Sequence, residues 1–506
     1  MTETAVPEVS TGEVKARALK GMFVLAARTA ASQGLRVVSA LFLSRLLFPS
    51  DYGLFGIVSY AASLGVFLGD LGLSAALVRQ PHEPTRDETF TIFWCHQALT
   101  AVIVAAVCAL APQLTEGYAL GEGAVPMVCA LALGLFLSSL RVIPLMALER
   151  KLAFPVIARA ELIENVVQVI TTISLAALGF GAWALALGGL VRGAVGLVLV
   201  WWASPWRPHG AFRLDVLKRL LSFGLAFQLP PLVGAMVAGW VPLVVGGILG
   251  KEAVGLVNWA WALASTPMML SIVLNRVAFP AYCRLQEDPA GFAEYLRTSL
   301  RRLSAVLLVA IPCVVLVLPV AVPLFFGERW VPAVALVQWF SLECVLTTLT
   351  GLLATAQNAG GRPWERLAVV VGVGAVKWGV GTWAIQRFGL AAIGPMGVLV
   401  GLAELWVTAW LVARLNPALR GLVSQVVEPF VTVGLLLAGA CAAVLSLPGA
   451  GNVVRALVGA VLFAGLVLAR ERLPGTLSLL GELKSILGFV RARRAERSAA
   501  PVSPAS

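Results

Sequence analysis

The feature that most constrains this chain is a near-continuous series of apolar segments. From Lys20 to Arg470 one segment follows another, and the connections are too short to hold a soluble domain. Only 13% of the residues are charged, whereas soluble domains carry about 25%. Because a backbone surrounded by lipid must satisfy its hydrogen bonds within its own segment, the segments should be helices. The sequence therefore predicts an all-α, polytopic integral membrane protein.

Basic residues set the orientation of the predicted spans. Hydropathy divides the chain into about 14 spans, and loops rich in Lys and Arg stay in the cytoplasm because translocating them is unfavourable. With the N-terminus inside, four of the 38 Lys and Arg residues fall on outer loops: Lys251, Arg329, Arg387 and Arg455. We therefore expect both termini in the cytoplasm. Topology also accounts for most of the net charge of +12, so the expected partner is the lipid bilayer and not nucleic acid.

A weak internal repeat divides the spans into two halves. At an offset of 202 residues, Gly53 and Leu54 recur as Gly255 and Leu256, and both copies begin at an outer hairpin. An even number of spans separates the copies, so the halves share one orientation and predict two parallel six-helix lobes. The predicted parts are an N-terminal lobe of helices 1–6 (1–203), a cytoplasmic linker (204–218), a C-terminal lobe of helices 7–12 (219–412), two additional helices, 13 and 14 (413–470), and an interfacial amphipathic helix with a disordered tail (471–506).

Cations within the predicted spans are candidate substrate ligands. An ionisable side chain costs at least about 2.5 kcal/mol at the centre of a membrane helix, so it normally faces a polar cavity or a partner. Arg28 and Arg36 share one face of span 1, and no acid lies on that face. A positively biased cavity suits an anionic headgroup such as pyrophosphate, which Arg binds with two hydrogen bonds. The predicted substrate-binding residues are Arg28, Arg36, Arg141, Arg192 and Lys377.

Acids within the spans permit two interpretations. Glu161 and Glu164 lie on one face of span 5, and Asp70 lies in span 2. A desolvated carboxylate titrates nearer neutral pH, so these three acids are candidates for carrying a coupling proton or sodium ion. The alternative is intramembrane ion pairing that only holds helices together, for example Arg141 with Glu161 or Glu164. No metal or other cofactor is expected, because the seven cysteines lie singly, without a CxxC pair or a His partner at ligand spacing.

A hairpin motif links the chain to a known family. The motif comprises Arg45, Pro49, Asp51, Tyr52 and Gly53, and a related hairpin follows at Lys251 to Gly255 in the second half. With these motifs the chain resembles the bacterial polysaccharide (Wzx-type) flippases of the multidrug/oligosaccharidyl-lipid/polysaccharide exporter superfamily.

The resemblance covers nearly the whole chain and carries several expectations. It implies movement of undecaprenyl-pyrophosphate-linked oligosaccharide from the inner to the outer leaflet of the bacterial inner membrane by alternating access. The product would serve a surface polysaccharide such as exopolysaccharide, capsule or O-antigen. It also implies that the chain is not an enzyme, and that a polysaccharide polymerase and other export machinery are partners.

Two alternatives remain open at this point. The first is a multidrug or other small-molecule exporter of the same superfamily, for which acids rather than cations would dominate the cavity. The second is a membrane-embedded glycosyltransferase or polymerase, which would need a large outer loop with catalytic residues. The longest outer connection, from Ala111 to Gly123, offers only Glu116 and Glu122, so this second alternative is the weaker one.

Overall fold

All regular secondary structure in the described part of the chain is helical. The computed structural model describes residues 11–73, 77, 83–121, 123–151, 153–268, 278–279, 281–419, 421 and a few positions between 458 and 465. No strand occurs among these residues, as the sequence predicts. Most of predicted helices 13 and 14, together with the interfacial helix and the tail, lies outside the described residues.

Two compact units make up the described chain, divided between Gly255 and Leu256. The first unit begins with the long helix α1 and ends within α9, which a non-helical Gly250 interrupts. Its helices are α1 (Thr11–Leu46), α2 (Pro49–Asp70), α3 (Arg86–Gly117), α4 (Ala124–Ser139), α5 (Val142–Arg150), α6 (Phe154–Ala177), α7 (Ala182–Ala203), α8 (Leu214–Ala238), a π-helical segment (Trp240–Val245) and the start of α9 (Gly246–Ala264).

The second unit contains the end of α9 and five further α-helices, joined in part by short π-helical and 3₁₀ segments. These helices are α10 (Pro289–Ala321), α11 (Val334–Ala359), α12 (Pro363–Val376), α13 (Thr382–Phe388) and α14 (Ile393–Leu415). Its largest apolar cluster includes Leu296, Leu346, Leu349 and Leu405, contributed by α10, α11 and α14. A π-helical segment, Lys377–Gly381, connects α12 to α13.

The helices have the lengths that a membrane protein requires. Seven helical stretches among the described residues are long and apolar enough to cross a bilayer, from Arg86–Gly117 to Pro363–Arg414. A helix rises 1.5 Å per residue, so about 20 residues cross the hydrocarbon layer. The prediction of a multi-pass membrane protein is confirmed, while the count of 14 helices and the division into lobes stay predictions.

Asp51 of the hairpin motif joins the starts of two helices. Its Oδ2 accepts a hydrogen bond of 2.9 Å from the backbone N–H of Phe48, the residue before α2. Its Oδ1 accepts one of 3.1 Å from the N–H of Ala182, the first residue of α7. The first N–H groups of a helix have no partner within the helix and carry partial positive charge, so a carboxylate stabilises them.

The rest of the hairpin motif also has a structural position. Arg45 lies in the last turn of α1, and Pro49 opens α2, where its fixed φ suits the first helical position. Tyr52 packs in an apolar cluster that holds α1, α6 and α7 together. Its neighbours in that cluster include Leu43, Leu47, Ala176 and Ala184.

Two glycines of the repeat let helices α2 and α9 touch through their backbones. A Cβ at Gly53 would overlap the backbone of Lys251, and a Cβ at Gly255 would overlap that of Pro49. The overlaps are reciprocal, so the helices cross at this glycine pair. Only glycine leaves room for such a close approach. The repeat positions Gly53 and Gly255 therefore mark a crossing point inside the first unit.

We predict a graded loss of stability at Asp51. Asp51→Ala should lower the free energy of unfolding by about 2 kcal/mol, because it leaves two helix-terminal N–H groups without their acceptor. Asp51→Asn should cost about half as much, because an amide keeps one acceptor oxygen of the two. Thermal unfolding of the detergent-solubilised protein measures both. The matched control is Asp215→Ala, at an exposed acid in the first turn of α8; an equal loss in the control would contradict the capping role.

Candidate functional site

Helix α6 carries the polar face around which the candidate site is built. The helix follows Ala153 and has a proline in its first turn, which favours helix initiation there. Its polar side chains divide between two neighbours. Glu161 and Asn165 contact α1, whereas Glu164 and Thr172 contact the α4–α5 junction and α7.

On the α1 side, Arg28 forms an ion pair with Glu161. One turn further along both helices, Asn165 Nδ2 donates a hydrogen bond of 3.2 Å to Ser32 Oγ. The side chains of Arg28 and Glu161 are 26% and 28% exposed, so the pair is partly accessible. The sequence showed no acid on the Arg28 face of α1; the structure supplies one from α6.

On the α7 side, Glu164 is fully buried between two arginines. Its Oε2 lies 3.0 Å from Nη1 of Arg141 and 3.7 Å from Nε of Arg192. Arg141 stands at the break between α4 and α5, which turns one predicted span into two helices. The ion pair between Arg141 and Glu164, raised above as the alternative to ligand binding, is present.

A glycine seam on α7 explains how Glu164 becomes buried. A Cβ at Gly196 would overlap the Glu164 carboxylate, and one at Gly188 would overlap Thr172 Oγ1. Gly188, Arg192 and Gly196 are spaced four residues apart and therefore share one face of α7. Small residues allow membrane helices to approach closely, so the seam brings α7 against the polar face of α6.

Arg36 completes the cationic side of the cluster. It lies on α1 two turns beyond Arg28, about 12 Å along the helix axis. Its side chain is exposed, and no acid among the described residues lies within ion-pair distance of it. The first unit thus sets four arginines, all permanently charged, against two glutamates. Those residues are Arg28, Arg36, Arg141 and Arg192 against Glu161 and Glu164.

The two remaining predicted residues lie elsewhere. Asp70 is the last residue of α2, and its side chain lies outside the described part of the structure. Lys377 belongs to the second unit, where its Nζ lies 3.6 Å from Oε1 of Glu343. Glu343 was not among the predicted site residues, although an acid within predicted span 10 is itself a signal. The ligand and coupling roles assigned from the sequence stay predictions.

Cysteine, histidine and acidic side chains do not form a metal-binding group in the described residues. No cluster of three or more of them is suitably placed to hold an ion. The polar chemistry available in the spans is therefore that of arginine, lysine, carboxylate and hydroxyl groups. Arrays of this kind bind anions and exchange protons.

Similarity to other proteins points to polysaccharide export. A family described as "Polysaccharide biosynthesis protein" matches residues 42–335. The teichuronic acid biosynthesis protein TuaB of Bacillus subtilis is 23% identical over 71% of this chain and 75% of its own. The lipopolysaccharide biosynthesis protein WzxC of Escherichia coli is 28% identical over 64% and 65%. The succinoglycan biosynthesis transport protein ExoT of Rhizobium meliloti is 25% identical over 68% and 71%.

Solved transporter structures share the fold. The lipid II flippase MurJ, in an inward closed conformation, superposes with a TM-score of 0.71 at 11% identity, covering 89% of this chain and 99% of that one. An inward-facing multidrug resistance MATE family transporter of the MOP superfamily gives 0.57 at 17% identity, covering 78% and 98%. At these identities the similarity concerns the fold alone.

We predict that Glu164 contributes far more to stability than Glu161. Glu164→Gln leaves two arginines facing a neutral side chain in a buried position, which should cost about 3 kcal/mol of unfolding free energy. Glu161→Gln removes a partly exposed pair and should cost less than about 1 kcal/mol. Thermal unfolding in detergent compares the two variants directly. Equal losses would contradict the buried ion-pair arrangement.

Proposed function

The chain belongs to the polysaccharide biosynthesis protein family, and from this membership we propose that it is a flippase for lipid-linked oligosaccharide. The proposed substrate is an undecaprenyl-pyrophosphate-linked repeat unit, moved from the cytoplasmic to the outer leaflet of the bacterial inner membrane. The product would enter exopolysaccharide, capsule or O-antigen assembly. Family and fold relatives are transporters rather than enzymes, and one of them is itself called a lipid II flippase.

The observation that carries the substrate assignment is the excess of arginine over glutamate in the first unit. Two carboxylates leave two of four guanidinium charges without a compensating charge among the described groups. An uncompensated cation in a low-dielectric site attracts an anion strongly. A pyrophosphate supplies two or more negative charges and several acceptor oxygens, which the planar guanidinium binds through paired hydrogen bonds.

The two arginine groups would act differently in this proposal. Arg36 is exposed, and the Arg28–Glu161 pair is partly accessible, so a phosphate oxygen can take the place of the Glu161 carboxylate beside Arg28. Arg141 and Arg192 are held by the fully buried Glu164, and they supply positive potential from behind. Glutamates in these positions keep the arginines compensated while no substrate is bound.

The architecture we propose comprises about 14 helices in two parallel six-helix lobes with two additional helices at the C-terminal end. Both termini would be cytoplasmic, and a polysaccharide polymerase and further export machinery would act alongside. Transport would proceed by alternating access, as in secondary transporters built from parallel repeats. Binding energy only shifts populations between the two facings, so net export needs either removal of the product or a coupling proton or sodium ion.

A multidrug or other small-molecule exporter of the same superfamily is the second candidate. It is supported by the fold similarity to the multidrug transporter, at a TM-score of 0.57. The sign of the buried charges argues against cationic drugs as substrates, because cationic ligands are repelled by uncompensated arginines. The two candidates differ in the substrate that the cationic cluster should select.

We predict that Arg36 is required for movement of lipid-linked oligosaccharide. Arg36→Ala removes a charge-assisted contact worth about 1.5–3 kcal/mol, so translocation should fall by about tenfold or more at limiting substrate. Arg36→Lys should retain part of the activity, because it keeps the charge but not the planar fork. Leaflet-resolved labelling of lipid-linked oligosaccharide in proteoliposomes measures the rate.

The control for this experiment is Arg159→Ala, at an exposed arginine on α6 outside the cluster. Its rate should match that of the native chain. Unchanged translocation in Arg36→Ala would refute the cationic substrate site. Failure of the native chain to move any lipid-linked oligosaccharide would refute the flippase assignment itself.

A further inference from the structure

The second unit contains a buried acid and amine pair of a different kind. Glu343 of α11 is only 8% exposed, and Lys377 opens the π-helical segment that follows α12. Their Oε1 and Nζ atoms are 3.6 Å apart, beyond the distance of about 2.7–3.2 Å at which an N–H donor bonds directly to oxygen. The two charges compensate each other, but the contact between them is loose.

The backbone of α14 encloses Glu343 from one side. A Cβ at Gly397 would overlap the Glu343 carboxylate, so this glycine lets the acid lie directly against the helix. Gly401 continues the same seam beside Leu346. A carboxylate held in this way has little room for hydration, and its charged form depends on the neighbouring ammonium.

Other charged groups around α11 are either engaged or distant. Glu404 of α14 faces the same region, but its Oε1 is held at 2.9 Å by Nη1 of Arg366 of α12. Cations of α10 lie further away: Gln338 of α11 bonds to the carbonyl of Val315, which places Arg302 about 12 Å along the axis from the level of Glu343.

On the N-terminal side of α11, Glu328 and Arg329 both precede the helix, which begins at Val334, nine residues before Glu343. They lie too far along the axis to compensate that acid. Of the charged groups described around α11, Lys377 is thus the cation that compensates Glu343.

The partner type separates this pair from the acids of the first unit. Glu161 and Glu164 face arginines, and a guanidinium keeps its proton at any physiological pH. A permanent cation holds its carboxylate in the ionised form, which makes proton uptake unfavourable. Lysine changes its protonation readily when desolvated, so both members of the Glu343–Lys377 pair can titrate. The π-helical start at Lys377 is also a geometry that recurs at functional sites.

We propose that Glu343 and Lys377 form the binding site for a coupling proton, with the Glu343 carboxylate as the acceptor. This inference rests on the proposed function, since the proton would drive export of the lipid-linked oligosaccharide. One proton from water on the outer side adds to the carboxylate and leaves a carboxylic acid beside the ammonium. Release of that proton to water on the inner side restores the ion pair, so each cycle takes up and releases one proton without electron transfer.

A sodium ion fits this site less well than a proton. The ammonium of Lys377 already occupies the position beside the carboxylate that a metal cation would take. A hard cation also needs several oxygen ligands, and the described acids do not gather into a group that could hold one here. A proton needs only the one oxygen to which it bonds.

The first test uses proteoliposomes that carry lipid-linked oligosaccharide under an imposed pH gradient, with the membrane potential clamped. The native chain should be stimulated by a gradient acidic on the outer side. Glu343→Gln should lose that stimulation while still moving substrate down its own gradient. Glu404→Gln, the matched control at the acid held by Arg366, should keep it. Stimulation retained in Glu343→Gln, or driven in the native chain by a sodium gradient instead, would overturn the proposal.

The second test is independent of transport. Infrared difference spectra of the purified protein between acidic and neutral pH should contain a protonated-carboxyl band that disappears in Glu343→Gln. In Lys377→Arg the same band should shift its midpoint to lower pH, because a permanent cation stabilises the carboxylate. If no such band depends on Glu343, the proton site is refuted even where transport is intact. If the band is present but the native chain moves no lipid-linked oligosaccharide, the proposed function fails and the proton site stands.

Discussion

The constraint on which this structure depends is that a charge within a bilayer lacks water to solvate it. Each unit meets this constraint with a glutamate laid against a glycine-bearing helix and a cation supplied from a different helix. Glu164 lies against Gly196 with Arg141 and Arg192, and Glu343 lies against Gly397 beside Lys377. The glycines come first in this arrangement, because without them the helices could not approach closely enough to bury either acid.

The hairpin motif follows from backbone requirements rather than from ligand chemistry. Asp51 is an acceptor for two helix starts, and Gly53 leaves space where the backbones of α2 and α9 cross. Both functions depend on a specific side chain, or on its absence, within a short segment. A sequence motif of this kind therefore identifies the fold, whereas the ligand assignment depends on charges dispersed over several helices.

The sequence predicts the helical class and several helix bounds closely, because apolar length and flanking signals are local properties. Predicted span 6, residues 182–203, coincides with α7 from Ala182 to Ala203. The break at Arg141 and the π-helical start at Lys377 were not predicted, since both interrupt segments that read as continuously apolar. The pairing of Arg28 with Glu161 was missed for a related reason. Residues on one helix face can be read from spacing, but the neighbouring helix that supplies a partner depends on tertiary packing.

The repeat offset reveals an inversion of charge between the two units. Glu343 stands 202 residues after Arg141, and Arg366 stands 202 residues after Glu164. Corresponding positions therefore carry opposite signs, although the second unit divides its charges into two separate pairs, Glu343 with Lys377 and Glu404 with Arg366. Each of those pairs is neutral, so this set of charges adds no attraction for an anion, whereas the first unit keeps its excess of arginine. In the proposed function this division has a physical use, because a site that must release a proton works best where the anionic substrate does not compete for its cation.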